Sequence, residues 1–123
     1  MSELQMGASE TRFAEIVWRN EPLTSMDLAE LCGQQLGWKK TTTYTVLKRL
    51  CDKGIFQNQG TVVTSCMSEQ EYYARRSAKF VEETYDGSLP AFIAAFAGQK
   101  KLSPEECAEI RRMIDALEED TRI

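Results

Sequence analysis

The sequence predicts a mainly α-helical chain with one small β-hairpin: three short helices precede the hairpin and a helical region follows it. Three observations carry this reading. Thr43, Val46, Leu47 and Leu50 fall at the i, i+3, i+4, i+7 spacing of a buried helical stripe, and Gly54 stops the pattern. β-Branched residues on both sides of Gln59-Gly60 read as two short strands joined by a turn. Far down the chain, Ser103-Pro104-Glu105-Glu106 supplies an N-cap, a proline at N1 and a glutamate at N3, a sharp helix start.

In order, Met1 to Gly7 lacks periodicity and reads as a mobile tail. Ser9 can cap a helix to about Arg19, with Phe13, Ile16 and Val17 on its core face and Trp18 alongside. Asn20-Glu21-Pro22 breaks it, and Leu23-Thr24 is a short extended link. Thr24 to Asp27 resembles a capping box for a second helix that buries Leu28, Leu31, Cys32 and Leu36 and ends at Gly37. The third helix occupies the run from Trp38 to Gly54. Ile55 to Asn58 and Thr61 to Cys66 form the hairpin. Ser68 caps a further helix reaching about Tyr85, and Asp86-Gly87-Ser88 interrupts it. A short apolar helix from Leu89 to Ala97 follows, then a polar linker, Gly98 to Lys101. The last helix carries Cys107, Ile110, Ile114 and Leu117 at spacings of 3, 4 and 3, with Met113 beside them. That seam covers little more than a heptad, too short to hold as a free coiled coil.

Charge narrows the function classes. The net charge is −4, yet residues 1–66 hold seven Lys/Arg and seven Asp/Glu, so the excess of acid lies in residues 67–123. In the neutral half, Lys39, Lys40, Lys48, Arg49 and Lys53 cluster on the third helix. The face opposite its apolar stripe carries Lys40, Thr41, Tyr44, Thr45 and Lys48, with Arg49 at the edge and no acid before Asp52. Such a face suits a DNA major groove, where cations meet phosphates or guanine edges and hydroxyls reach phosphates and bases. The four cysteines form no CxxC or CxC pair and the chain has no histidine, so no metal site, cofactor or disulfide framework is expected. No nucleophile stands beside a base, so enzyme activity is not expected. With no apolar run long enough for a bilayer and no secretory signal, a cytoplasmic location is expected.

Three helices followed by a hairpin make a winged helix-turn-helix domain, assigned to residues 1–67. A C-terminal helical dimerisation region then occupies residues 68–123. Its apolar faces lie beyond a complete small domain, and a second copy is the economical cover for them, because paired half-sites mirror two-fold protein symmetry. Phe80, Leu89, Phe92, Ile93, Phe96, Ile110, Met113, Ile114 and Leu117 are the candidate dimer contacts. Lys39, Lys40, Thr41, Thr42, Tyr44, Thr45, Lys48 and Arg49 are the candidate contacts to double-stranded DNA. Two other classes stay open: a winged-helix protein-interaction module with an idle basic face, and a thiol-sensing regulator with two cysteines brought together.

The chain resembles the penicillinase and methicillin-resistance repressors (BlaI/MecI type), whose wider family includes the copper-responsive repressor CopY. Trp18, Pro22-Leu23-Thr24 and the run Trp38 to Gly54, with Thr42, Thr45, Arg49 and Leu50, carry the resemblance. So do the Phe80 helix, Tyr85 followed by Gly87, the Phe92 to Phe96 segment, and Leu102-Ser103 ahead of Glu105-Glu106. The resemblance implies a homodimeric repressor that binds palindromic operators. Three departures qualify it. Where the family commonly has Ser-Pro-Lys-Thr, this chain has Lys39-Lys40-Thr41-Thr42, so the operator sequence does not carry over. The Asn58 to Thr61 wing tip has no cation, and the copper-binding CxC pairs are absent. In the β-lactam branch a bond before a phenylalanine is cut to relieve repression. The corresponding bond here is Ala95-Phe96, with alanine replacing the family's asparagine, and the resemblance implies a regulatory protease or sensor protein as a partner.

Overall fold

The computed structural model describes residues 4–121 and places six helices and three strands among them. These are α1 (Ala8–Asn20), β1 (Leu23–Thr24), α2 (Ser25–Leu36), α3 (Lys40–Asp52), β2 (Phe56–Gln59), β3 (Val62–Ser65), α4 (Glu69–Tyr85), α5 (Leu89–Gln99) and α6 (Pro104–Thr121). The chain divides into two units, Met1–Phe80 and Val81–Ile123, so the division falls within α4. The mainly helical winged helix-turn-helix class read from the sequence is the observed one.

In the first unit, α1 starts at Ala8, one residue before the expected cap. Gly7 is the N-cap, and its N–H donates to the Glu10 carboxylate at 3.1 Å, so the acid rather than Ser9 closes the first turn. The expected mobile tail is also corrected from Leu4 onward; Met1 to Glu3 lie outside the described residues. Leu4 packs against the core, the Tyr72 hydroxyl donates to the Leu4 carbonyl at 2.6 Å, and the Lys53 ammonium donates to the Gln5 carbonyl at 2.9 Å. None of these long-range contacts has a local sequence signal.

The start of α2 agrees with its expected cap, the Thr24 hydroxyl accepting from the Asp27 N–H at 3.0 Å. Gly37 ends that helix at φ 70°, the left-handed conformation that glycine adopts without a Cβ penalty. The Leu23-Thr24 link is a strand. It adds to the hairpin to give a three-stranded antiparallel sheet of order β1-β3-β2, with Leu23 opposite Val63 and Phe56 opposite Ser65. The hairpin turn is Gly60-Thr61, one residue later than expected. Both have positive φ, 56° and 70°, the pattern of a two-residue type I′ turn. Thr61 is unusual there, and its carbonyl is held by the Ser25 N–H at 2.8 Å.

The core gathers the faces read from periodicity. Phe13 and Val17 of α1, Leu28 and Cys32 of α2, Leu50 of α3, and Ile55, Phe56 and Val63 of the hairpin are fully buried. Phe13 stacks on Trp38 with ring centroids 5.9 Å apart, and Trp18 meets Phe56 and Tyr72. Each large apolar side chain buried in this way contributes about 1.5–3 kcal/mol. The Trp18 indole donates to the Met67 carbonyl at 3.1 Å, and Ser68 caps α4 through the Glu71 N–H at 3.1 Å.

In the second unit, Ser88 caps α5 and Ser103 caps α6, where Glu106 returns a bond to the Ser103 N–H as the sequence predicts. The expected Gly98 to Lys101 linker is shorter than read, because α5 continues through Gly98 and Gln99. Phe92 packs edge-on against Tyr85 and beside Phe96. Neither α5 nor α6 has a fully buried residue.

Candidate nucleic-acid interface

The third helix is a poor helix former on propensity alone, with Thr41, Thr42, Thr43, Thr45 and Val46 all β-branched. Tertiary packing holds it: Thr43, Val46, Leu47 and Leu50 are buried, which turns the opposite face to solvent. Lys39, Lys40, Thr41, Thr42, Tyr44, Thr45, Lys48 and Arg49 are all exposed, the eight residues the sequence singles out. No acid occupies the first turn, and the N-cap residue Lys39 makes no side-chain cap bond. The positive end of the helix dipole and its unpaired first-turn amides are therefore open to an anion, flanked by two lysines.

Two concavities flank the helix. One, of about 230 Å3, is a shelf formed by Thr41, Thr42, Thr45, Val46 and Arg49. The other, of about 360 Å3, runs between α3 and β2 and is lined by Tyr44, Leu47, Lys48, Cys51 and Asn58. Asn58 was not among the sequence candidates. The register of Asn58 opposite Val63, itself buried, puts it on the sheet face turned toward α3. Strand pairing identifies it, and its local sequence carries no such signal.

The cations are not equivalent. The Arg49 guanidinium stands 3.3 Å from a Glu10 carboxylate oxygen, and Lys53 is engaged by the Gln5 carbonyl. Burial alone would raise the Glu10 carboxyl. The Gly7 N–H, the Arg49 guanidinium and the charge of Lys53 outweigh burial and hold it below the ordinary value of 4.5. Lys39, Lys40 and Lys48 remain directed to solvent. The Thr45 hydroxyl donates to the Thr41 carbonyl at 2.8 Å, leaving its methyl and lone pairs for a partner. On the outer face of the wing, the Gln57 amide donates to Thr64 at 3.0 Å, giving a neutral hydrogen-bonding surface.

All four cysteines are free. Burial pushes the Cys32 thiol up, against the Thr43 hydroxyl beside it. Burial likewise raises Cys51, and Cys66 and Asp52 add to the effect. Among the described residues no cluster of three His, Cys, Asp or Glu could hold a metal ion, and no helix is long and apolar enough to cross a membrane.

The candidate dimer contacts lie on α4, α5 and α6. Phe80, Leu89, Phe96, Met113, Ile114 and Leu117 are exposed, Leu117 by 63 %, while Phe92, Ile93 and Ile110 are half-buried. Ala95-Phe96, the candidate cleavage bond, lies inside α5 rather than at its edge.

The sequence profile described as penicillinase repressor matches residues 6–116. The chain is 23 % identical over 115 residues to the penicillinase repressor of Bacillus licheniformis, covering 90 % of each chain. It is also 23 % identical over 115 residues to the methicillin resistance regulatory protein MecI of Staphylococcus aureus strain Mu50, covering 90 % of this chain and 94 % of that protein. To the MecI protein of Mammaliicoccus sciuri it is 22 % identical over the same length.

Proposed function

The chain belongs to the penicillinase repressor family, a family of transcriptional repressors, and on that premise we propose that it represses transcription as a homodimer bound to palindromic operator DNA. One observation carries the reading: an acid-free, cation-bearing face on α3 is forced into solvent by the burial of the opposite face. The helix enters the major groove with Lys39 and Lys40 at its N-terminal end. Thr41, Thr42, Tyr44 and Thr45 meet base edges, and Lys48 meets a phosphate.

The C-terminal helices supply the second half of the function. A single reading head has too little contact for a stable complex, and joining two heads makes the second binding step intramolecular. The exposed apolar residues of α5 and α6 are the surface for that pairing. Repression ends when the pairing is lost, and scission at Ala95-Phe96 would remove the α6 contacts from the rest of the chain. Because that bond lies inside a helix, α5 must open locally before a protease can take it.

The test is footprinting of the full-length protein on the duplex upstream of its own gene. A protected two-fold site, lost with rising salt and weakened by Lys48→Ala, is the expected result. An equally folded Lys48→Ala protein with unchanged affinity and salt dependence would remove α3 from the interface.

A further inference from the structure

Arg49 occupies the same helix row as Thr42 and Thr45 and forms one edge of the threonine shelf. Extended toward DNA, it would add a phosphate contact beside the residues that read bases. In this structure it turns to Glu10 instead, with Nη1 3.3 Å from Oε2. The other Glu10 oxygen, Oε1, accepts from the Gly7 N–H at 3.1 Å, so the carboxylate is fixed from two sides. Its side chain is 16 % exposed, against 51 % for Arg49. The acid is therefore the anchored member of the pair, and the guanidinium keeps a solvent edge from which it can be redirected.

We propose that Glu10 limits DNA affinity from outside the reading face: it is an internal carboxylate that competes with phosphate for Arg49. The proposal rests on the DNA-binding reading above and adds a residue that touches no DNA. Carboxylate and phosphate compete for the same planar fork of N–H donors, so Arg49 serves one at a time. A phosphate contact strengthens binding to any duplex without reporting its sequence. Holding Arg49 back thus lowers affinity for DNA in general and leaves more of the binding to base contacts from Thr41, Tyr44 and Thr45.

The test uses full-length protein and Glu10→Gln, which keeps an amide oxygen for the Gly7 N–H and removes the charge. Binding to operator and to random duplex is measured against salt. One additional phosphate contact steepens the log–log slope by about 0.9. The Glu10→Gln to wild-type affinity ratio should therefore fall about 3.5-fold between roughly 50 and 200 mM salt, starting from a gain at low salt. Arg49→Gln in the wild-type background should lower the slope by clearly less than one full contact, since Glu10 holds the guanidinium for much of the time. This arm needs no change at Glu10, so loss of a full contact here overturns the proposal even if Glu10→Gln fails to fold. The gain should vanish in Glu10→Gln/Arg49→Gln.

Three results would overturn the proposal while leaving DNA binding intact. Glu10→Gln could leave the slope unaltered; Arg49→Gln alone could lower it by a full contact; or the gain could persist in the double variant, which would assign it to the lost negative charge. A wild-type protein that binds no duplex at any salt would remove the DNA reading and this proposal with it.

Discussion

Replacing Thr43 with valine should stabilise the protein. Thr43 is fully buried on the inner face of α3, and its hydroxyl finds no full hydrogen-bond partner, only the weak Cys32 thiol beside it. A buried polar group left unsatisfied costs about 1–3 kcal/mol, and the thiol recovers part of that. Valine has the same branched shape and nearly the same helix propensity, so neither packing nor backbone preference should oppose the change. The expected gain is about 1–2 kcal/mol, read as a higher urea midpoint at unchanged m. Operator affinity should not move, because the side chain has no solvent-facing surface. Thr43→Ser keeps the hydroxyl and deletes a buried methyl, so it should lose about 1 kcal/mol. A Thr43→Val protein destabilised by about 1 kcal/mol or more would refute the reasoning and show that the hydroxyl–thiol contact acts as a full hydrogen bond.

In the proposed dimer, charge placed on α6 should separate the copies without unfolding either one: Ile114→Arg or Leu117→Arg is expected to give a monomer by sedimentation and a sharp fall in operator affinity, with helicity retained. Because the Glu10 carboxyl is held below 4.5 in the folded protein, its contribution is complete above that pH and is lost as pH falls through the folded value. The difference in urea midpoint between wild type and Glu10→Gln should accordingly shrink in acid. In thiol labelling of the native protein, exposed Cys66 should react first, Cys51 slowly, and buried Cys32 only on unfolding.

What was legible in the sequence was whatever repeats locally. Thr43, Val46, Leu47 and Leu50 announce a buried stripe because solvent and core impose the helical period on neighbouring positions. The Thr24 and Ser103 caps lie three residues from their partners, so the local sequence marks both. The Glu10 and Arg49 contact joins residues 39 apart, and nothing near either one marks it. The same holds for Leu4 and Tyr72, which turn an apparent tail into part of the first unit. A two-residue strand such as β1 is below the length at which alternation can be seen, and pairing with Val62 and Val63 alone defines it. Gly98 and Gln99 read as linker by composition, yet α5 continues through them.

In the proposed complex, the threonines of α3 also bear on how the surface would meet a rigid duplex. β-Branched side chains in a helix have few rotamers, and Thr45 is further fixed by its bond to the Thr41 carbonyl. A flexible side chain immobilised on binding loses about 0.5–1.5 kcal/mol of freedom, and most of that loss is already incurred for these residues when the protein folds. Docking of the threonine face should therefore carry a small entropic penalty, with most of the ordering confined to the lysines at its ends. The tertiary packing that compensates for low helix propensity thus delivers a pre-ordered template, and core substitutions that loosen α3 should appear in binding calorimetry as an entropic loss before any contact is changed.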